Sequence, residues 1–317
     1  MAMTRVNAEH GGDIADVTTL AWNLDAASRH PFEMLPPHDV RTLIGNSRDL
    51  PPLPQITRRL LDLQRSPEAT AKQLADIVEL DPLLTGQLLR WANSAYYAVR
   101  QQVVTVQDAI VRVLGFETAL SLALGLTALV PLRTPNHGAL GRDAVWQHGM
   151  LCSALMQRLR LLLPPDPPRP SVGLTQTAGL THNVGYLILG HLLTDAFEFV
   201  SQLIQQNPVL ELPVMERFAL GVDHTQLGLW LFDEWQMPAA LRCVVREHHN
   251  VGYQGEHEQL VLLTWLADHL LAHTSAGLGP PRSPECVEIA CTRLGVDYTA
   301  TQASCAFVME RVSGELP

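Results

Sequence analysis

From Thr177 to Leu193 the chain is almost wholly apolar, yet His182 and Asn183 stand side by side in the middle of that run. A polar pair in such surroundings costs on the order of a few kcal/mol unless it finds partners. Any fold for this chain must therefore bury the run and also deliver polar groups to it. Ala178, Gly179 and Gly185 are small, which lets a neighbouring helix or a ligand come close to His182. A histidine bonded to water in the core would explain one such residue; the companions of His182 decide whether more is needed.

The remainder of the chain points to an all-α protein. Leu, Ala and Val dominate, aromatics make up 6%, and alternating strand patterns are hard to find among the 317 residues. A hydrophobic content of 47% and a charged content of 17% describe an ordered chain, long enough for one large domain or two. The net charge of −10 opposes nonspecific binding to nucleic acid or to an anionic membrane. Met1 to Asp13 has no apolar signal core, and no uninterrupted apolar stretch reaches the roughly 18 residues of a membrane span. Cys152, Cys243, Cys286, Cys291 and Cys305 show no C-x-x-C spacing and mostly sit in apolar helical patterns, as small core residues of a protein of the reducing cytoplasm.

Residues 1–45 are expected to form an extension, with a short helix over Val17 to Ala27 ahead of Pro31, Pro36 and Pro37. Leu50-Pro51-Pro52-Leu53-Pro54 is stiff and extended. Helical spacing follows at Ile56, Leu60, Leu61 and Leu63, and Ser66-Pro67-Glu68 stops it. Thr70 caps the next helix, which points Leu74, Ile77 and Val78 inward. Asp81-Pro82 reads as N-cap and N1 of a third helix, Leu83 to Ala95, near whose end lies Trp91-Ala92-Asn93-Ser94-Ala95. There Asn93 and Ser94 are expected to cap backbone groups, a fold-setting role. Thr105 to Asp108 opens a helix ending near Gly115, and Phe116 to Leu129 is a strongly apolar helix.

The succession Leu-Pro-Pro-Leu-Pro, Asp81-Pro82-Leu83-Leu84, Trp91-Ala92-Asn93-Ser94-Ala95 and Ala109-Ile110 with Leu114-Gly115 resembles the HDOD family, a bacterial signalling module distantly related to the HD and HD-GYP metal-dependent phosphohydrolases. The resemblance implies two helical lobes, 46–133 and an HD-like bundle over 141–275, within a domain at 46–275 that a C-terminal helical segment follows at 276–317. Pro131 to Gly141 breaks the chain between the lobes.

In the second part, Arg142-Asp143 leads into a helix carrying His148, and the proline-rich stretch Pro164 to Pro170 must be a surface loop. Asp195 to Gln206 is amphipathic. Asp223 caps a helix through a capping box with Gln226, which puts His224 in the first turn of a helix running to Trp235. Pro238 stands at N1 of the next helix, where Leu241, Val244, Val245 and His248 share the inner face and His248-His249 close it. Gln259 to Ala272 is apolar nearly all round, with Asp268 within it, and Pro284 to Val312 forms one or two helices joined around Gly295.

His148, His182, His224, His248, His249 and Asp268 are thus metal-capable side chains on apolar helices. Their order is similar to that of the HD superfamily ligands, and that resemblance implies that all six point into one cavity holding a transition metal, Fe, Zn, Ni or Cu. A salt bridge or hydrogen bonds within the histidine cluster would account for the same residues without a metal. Two departures from the family pattern bear on catalysis. Asn183 replaces the paired aspartate that helps generate metal-bound hydroxide, and Tyr186 stands where two-metal relatives place a lysine.

Three functions follow. The first is a non-catalytic regulatory module for signalling proteins of two-component (response-regulator) or cyclic-nucleotide networks. The second is a phosphohydrolase or phosphodiesterase acting on nucleotides or cyclic dinucleotides. The third, nucleic-acid binding through the helices at Asp81 to Ala95 and Thr105 to Gly115, has only Arg112 as a base-reading cation in its second helix. His137, His257, His269 and His273 are expected to face solvent or make only local contacts.

Overall fold

A computed structural model of the chain describes residues 50–312 apart from Val130 and Arg282. The extension expected at 1–45, with its short helix, lies outside the described residues. Every regular element among the described residues is helical, and none of these helices is long and apolar enough to cross a membrane.

The first lobe comprises α1 (Gln55–Arg65), α2 (Ala71–Val78), α3 (Pro82–Ala92), α4 (residues 106–114) and α5 (Phe116–Leu129). Its helix starts are set locally. Thr70 and Gln73 form a reciprocal capping box at 2.9 and 3.2 Å, and Asp81 Oδ1 accepts from the Leu83 and Leu84 amides at 2.8 and 3.2 Å, beside Pro82. Thr105 caps α4 at the Asp108 amide, 3.0 Å away. After its first turn, Val106–Asp108, α4 widens into a π-helix over Ala109–Leu114, where an ordinary helix was expected. The Gly115 amide closes the wide turn on the Ile110 carbonyl at 2.8 Å, at a φ of +77° that glycine tolerates.

Asn93 acts as expected. It donates to the carbonyls of Leu89 and Val103 at 2.9 Å and accepts from the Val103 amide at 2.8 Å, so one carboxamide ends α3 and ties down the loop beyond it. Ser94 does not cap; its hydroxyl is buried without a hydrogen-bond partner. Arg112 lies 3.9 Å from Asp108 in an exposed pair.

The second lobe comprises α6 (Arg142–Leu162), α7 (Val172–Thr181), α8 (Val184–Leu192), α9 (Thr194–Gln206), α10 (Leu212–Leu220), α11 (His224–Glu234), α12 (Ala239–Glu247) and α13 (Glu258–Ala272). Pro238 is the N-cap of α12, one residue before the expected N1 position. Two further helices, α14 (Pro284–Leu294) and α15 (Tyr298–Val312), meet at Gly295, which adopts a left-handed φ of +67°. The lobes share one apolar core: a Cβ on Gly125 of α5 would lie 2.9 Å from Leu180 of α7.

Small residues draw the histidine-bearing helices together. A Cβ on Gly179 would meet the backbone of Ser153 at 2.6 Å, and one on Gly185 would fall 1.8 Å from the carbonyl oxygen of His224. The space expected around His182 is therefore filled by neighbouring helices, α6 and α11.

Candidate metal centre

Six helices converge on this site. His148 projects from α6, His182 caps the C-terminus of α7, Asn183 opens α8, His224 is the first residue of α11, His248 caps α12 with His249 next to it, and Asp268 comes from α13. Successive imidazole centroids lie 5.3 Å apart for His148 and His182, 5.1 Å for His182 and His248, 5.3 Å for His248 and His224, and 5.0 Å for His224 and His249. His148 Nε2 is 3.1 Å from Asp268 Oδ1. All six expected residues are neighbours, and all but the half-buried His249 are buried.

Their outer partners assign the tautomers. A carbonyl or carboxylate oxygen only accepts, so each ring nitrogen facing one carries the proton. His148 Nδ1 donates to the Ala276 carbonyl at 2.9 Å, His182 Nδ1 to Gly179 at 2.8 Å, and His248 Nδ1 to Val244 and Val245 at 3.1 and 3.0 Å. His224 Nδ1 donates to the two oxygens of Glu216 at 3.0 and 2.8 Å. In the neutral rings Nε2 of His182, His224 and His248 is then an inward lone pair, whereas His148 Nε2 faces the Asp268 carboxylate.

His182 Nε2 accepts from the Asn183 amide at 2.9 Å. The others face acceptors. His224 Nε2 and His248 Nε2 meet at 3.2 Å, and His148 Nε2 meets a carboxylate oxygen. Opposed lone pairs at such distances need a cation between them, either a proton or a metal ion. His249 Nε2 lies 3.0 Å from His224 Nε2, while its Nδ1 and the Asn183 Oδ1 are buried without partners.

Burial and then the neighbouring His148 lower the pKa of His182 to about 4, so this ring is neutral at neutral pH. Burial, and then the adjacent imidazoles, hold His248 and His249 well below the usual histidine range. Burial pushes Asp268 upward, but the hydrogen bond and charge of His148, with His269 and His249, outweigh it and keep the carboxyl well below its usual range. Imidazoles with their outer Nδ1–H groups held by oxygen, facing one carboxylate, are a donor set suited to a first-row transition ion.

Two residues at the site, Glu216 and Cys152, carried no functional expectation, whereas Tyr186 was expected in the pocket. Glu216 of α10 is buried; Tyr186 Oη donates to it at 2.6 Å and the His224 amide at 2.6 Å. Tyr186 stacks on His224 with centroids 4.2 Å apart, and burial followed by the Glu216 charge raises its pKa well above the usual phenol value. It thus stands behind His224. Cys152 lies one turn beyond His148 on α6, and its sulfur and ligand atoms of His148 and His182 lie within 4.8 Å of one another, as do those of His224, His248 and His249.

His269 is not solvent-facing, although its contacts with Trp265 and Asp268 are local, the other outcome expected for it. It is buried, stacks on Trp265 at 3.9 Å, and places Nδ1 3.8 Å from Asp268 Oδ2, because α13 is enclosed on nearly every side. His137, His257 and His273 are exposed, as expected. Asn183, His249, Asp268 and His269 line a cleft of about 20 Å³, bounded opposite by Leu278, Gly279 and Pro280, with room for about one water or ion.

Known proteins share this architecture. Residues 50–251 match the HDOD domain, so Asp268 falls beyond the matched stretch. A protein of Marinobacter aquaeolei VT8, named for signal transduction, has a crystal structure with a TM-score of 0.75 and 29% identity, covering 96% of this chain and 65% of its own. An HDOD domain protein of Geobacter sulfurreducens gives 0.68 at 20% identity, over 87% of this chain and 97% of its own. A protein of Shewanella amazonensis SB2B named as a phosphohydrolase gives 0.66 at 21%, over 88% and 97%. The latter two likenesses are of fold. A Treponema pallidum (strain Nichols) protein is 24% identical over 218 residues, 67% of this chain and 40% of that protein. The chain spans less than two thirds of both the Marinobacter and the Treponema proteins. Since the matched family covers well over half of the sequence, from the Leu-Pro-Pro-Leu-Pro stretch to the end of α12, the chain belongs to the HDOD domain family.

Proposed function

We propose that the protein is a non-catalytic regulatory module of bacterial signalling whose second lobe holds a transition metal, Fe, Zn, Ni or Cu, on His148, His182, His224, His248, His249 and Asp268. The observation that carries this is the opposition of lone pairs at His224–His248 and His148–Asp268, which an ion relieves. Asn183 supplies a neutral carbonyl where a carboxylate would balance metal charge and activate water. The helical lobes would serve as a platform for signalling proteins of two-component or cyclic-nucleotide networks. Five free cysteines suit a reducing cytoplasm.

Elemental analysis of the purified protein, paired with assays on cyclic dinucleotides and phosphomonoesters with added Fe or Mn, tests the proposal. The expected result is bound transition metal without turnover, with any hydrolysis appearing only in Asn183→Asp. Turnover by the wild-type chain would instead make it a phosphohydrolase. Failure to bind any of the four metals would end the metal role.

A further inference from the structure

We propose that Cys152 is a thiolate ligand of this centre, so that one end of it is a mixed nitrogen–sulfur–oxygen site of His148, Cys152, His182 and Asp268 that selects a thiophilic ion such as Zn²⁺. The inference presupposes the metal-holding role above and adds the residue that determines which ion is kept.

Four residues of helix separate His148 from Cys152, so both side chains leave α6 on one face. The donor atoms of His148, Cys152 and His182 lie within 4.8 Å of one another. With Zn–N of about 2.0–2.1 Å and Zn–S of about 2.3 Å, tetrahedral donors stand roughly 3.3–3.7 Å apart, within a side-chain adjustment of that spacing. Asp268 Oδ1 lies 3.1 Å from His148 Nε2, beside this group of three, and would reach the ion as fourth donor after a side-chain adjustment.

An independent observation points to an ion here. His148 Nε2 is fully buried, its Nδ1 proton is committed to Ala276, and it confronts a carboxylate oxygen. The other cysteines differ from Cys152. Cys243 contacts Tyr253 Oη at 3.2 Å, Cys305 the Leu270 carbonyl at 3.7 Å, Cys291 the Thr301 hydroxyl at 3.8 Å, and Cys286 the Ser283 hydroxyl at 3.7 Å. Among the described residues no hydrogen bond engages the Cys152 sulfur, and it is fully buried beside two imidazoles. On binding, the S–H bond breaks, its proton leaves to solvent, and the sulfur pair forms the S–metal bond. No electron is transferred.

The test replaces the native metal of the full chain with Co²⁺ and, separately, with Zn²⁺. A sulfur-to-cobalt charge-transfer band in the near ultraviolet is expected, lost in Cys152→Ala and kept in Cys291→Ala. X-ray absorption of the zinc protein should show one sulfur at about 2.3 Å. Cys152→Ser should weaken Zn²⁺ binding roughly tenfold or more, since even outer partners of a ligand are worth 10–100-fold. Metal bound without the band or the sulfur shell would reduce Cys152 to core packing while leaving the proposed function intact. No binding of either ion to the histidine cluster would remove both. The wild-type spectra decide the matter even if Cys152→Ala fails to fold.

Discussion

Glutamine in place of Glu216 probes the hidden support of the centre. The carboxylate receives three donors: Tyr186 Oη at 2.6 Å, the His224 amide at 2.6 Å and His224 Nδ1 at 2.8 Å from its nearer oxygen. Glutamine keeps one acceptor and turns the other into an NH₂, so either the His224 amide meets an NH₂ or Tyr186 must turn its hydroxyl to accept, and the bonds that remain go to a neutral oxygen. A hydrogen bond to a charged group contributes about 1.5–3 kcal/mol, so Glu216→Gln should cost about 2–3 kcal/mol. Glu216→Ala strands all three donors at about 1–3 kcal/mol each and should cost about 4 kcal/mol or more. Because the same carboxylate orients the His224 ring and raises the basicity of its Nε2, metal affinity should fall about 10–100-fold in Glu216→Gln. Equilibrium urea unfolding of the metal-free protein measures the first quantity, and Zn²⁺ titration against a competing chelator measures the second. Stability within roughly 0.5 kcal/mol of wild type, the range of ordinary surface changes, together with unchanged affinity would refute the reasoning.

Acid should destabilise the metal-free chain in a defined window. His182 has a pKa of about 4 when folded against 6.5 when free, so stability is complete above pH 6.5 and falls as pH drops toward 4, by about 3 kcal/mol; urea midpoints at pH 7 and pH 5 check this. Gly185→Ala sets a methyl 1.8 Å from the His224 carbonyl oxygen, a backbone atom that cannot swing away, and should cost about 3 kcal/mol or more with loss of metal binding, read by unfolding and titration. Asn93→Ala removes three hydrogen bonds to the backbone of Leu89 and Val103, none of them to a histidine, and should cost about 2–3 kcal/mol in urea unfolding while metal affinity stays unchanged.

Helix starts in the first lobe were legible because their causes are local. Thr70, Asp81 and Thr105 each bond an amide two or three residues ahead. The nearness of His148, His182, His224, His248, His249 and Asp268 was legible through family resemblance and through the improbability of so many polar groups in apolar helices. Glu216 was not legible. Within Leu212–Leu220 it occupies an ordinary amphipathic position, and only packing against Tyr186, thirty residues earlier in the chain, makes it a buried acceptor. Cys152 looked like a small core residue because a burial pattern does not distinguish a thiol beside leucines from one beside imidazoles. The burial of His269 was not legible for a related reason: on a helix enclosed all round, position on the helix no longer tells inside from outside. The π-helix of α4 had no local signature; the register of its buried Ala109, Ile110 and Leu114 suits either helix type.

The carbonyl of Ala276 that holds His148 belongs to the turn linking α13 to the last helices, and α15 lies along α6, the helix from which His148 projects. Tail and imidazole are therefore fastened at both ends of one short linkage. Peeling the tail away would uncouple the ring from its anchor and leave His148 free to rotate, so the outermost helices act as a clasp on a fully buried imidazole.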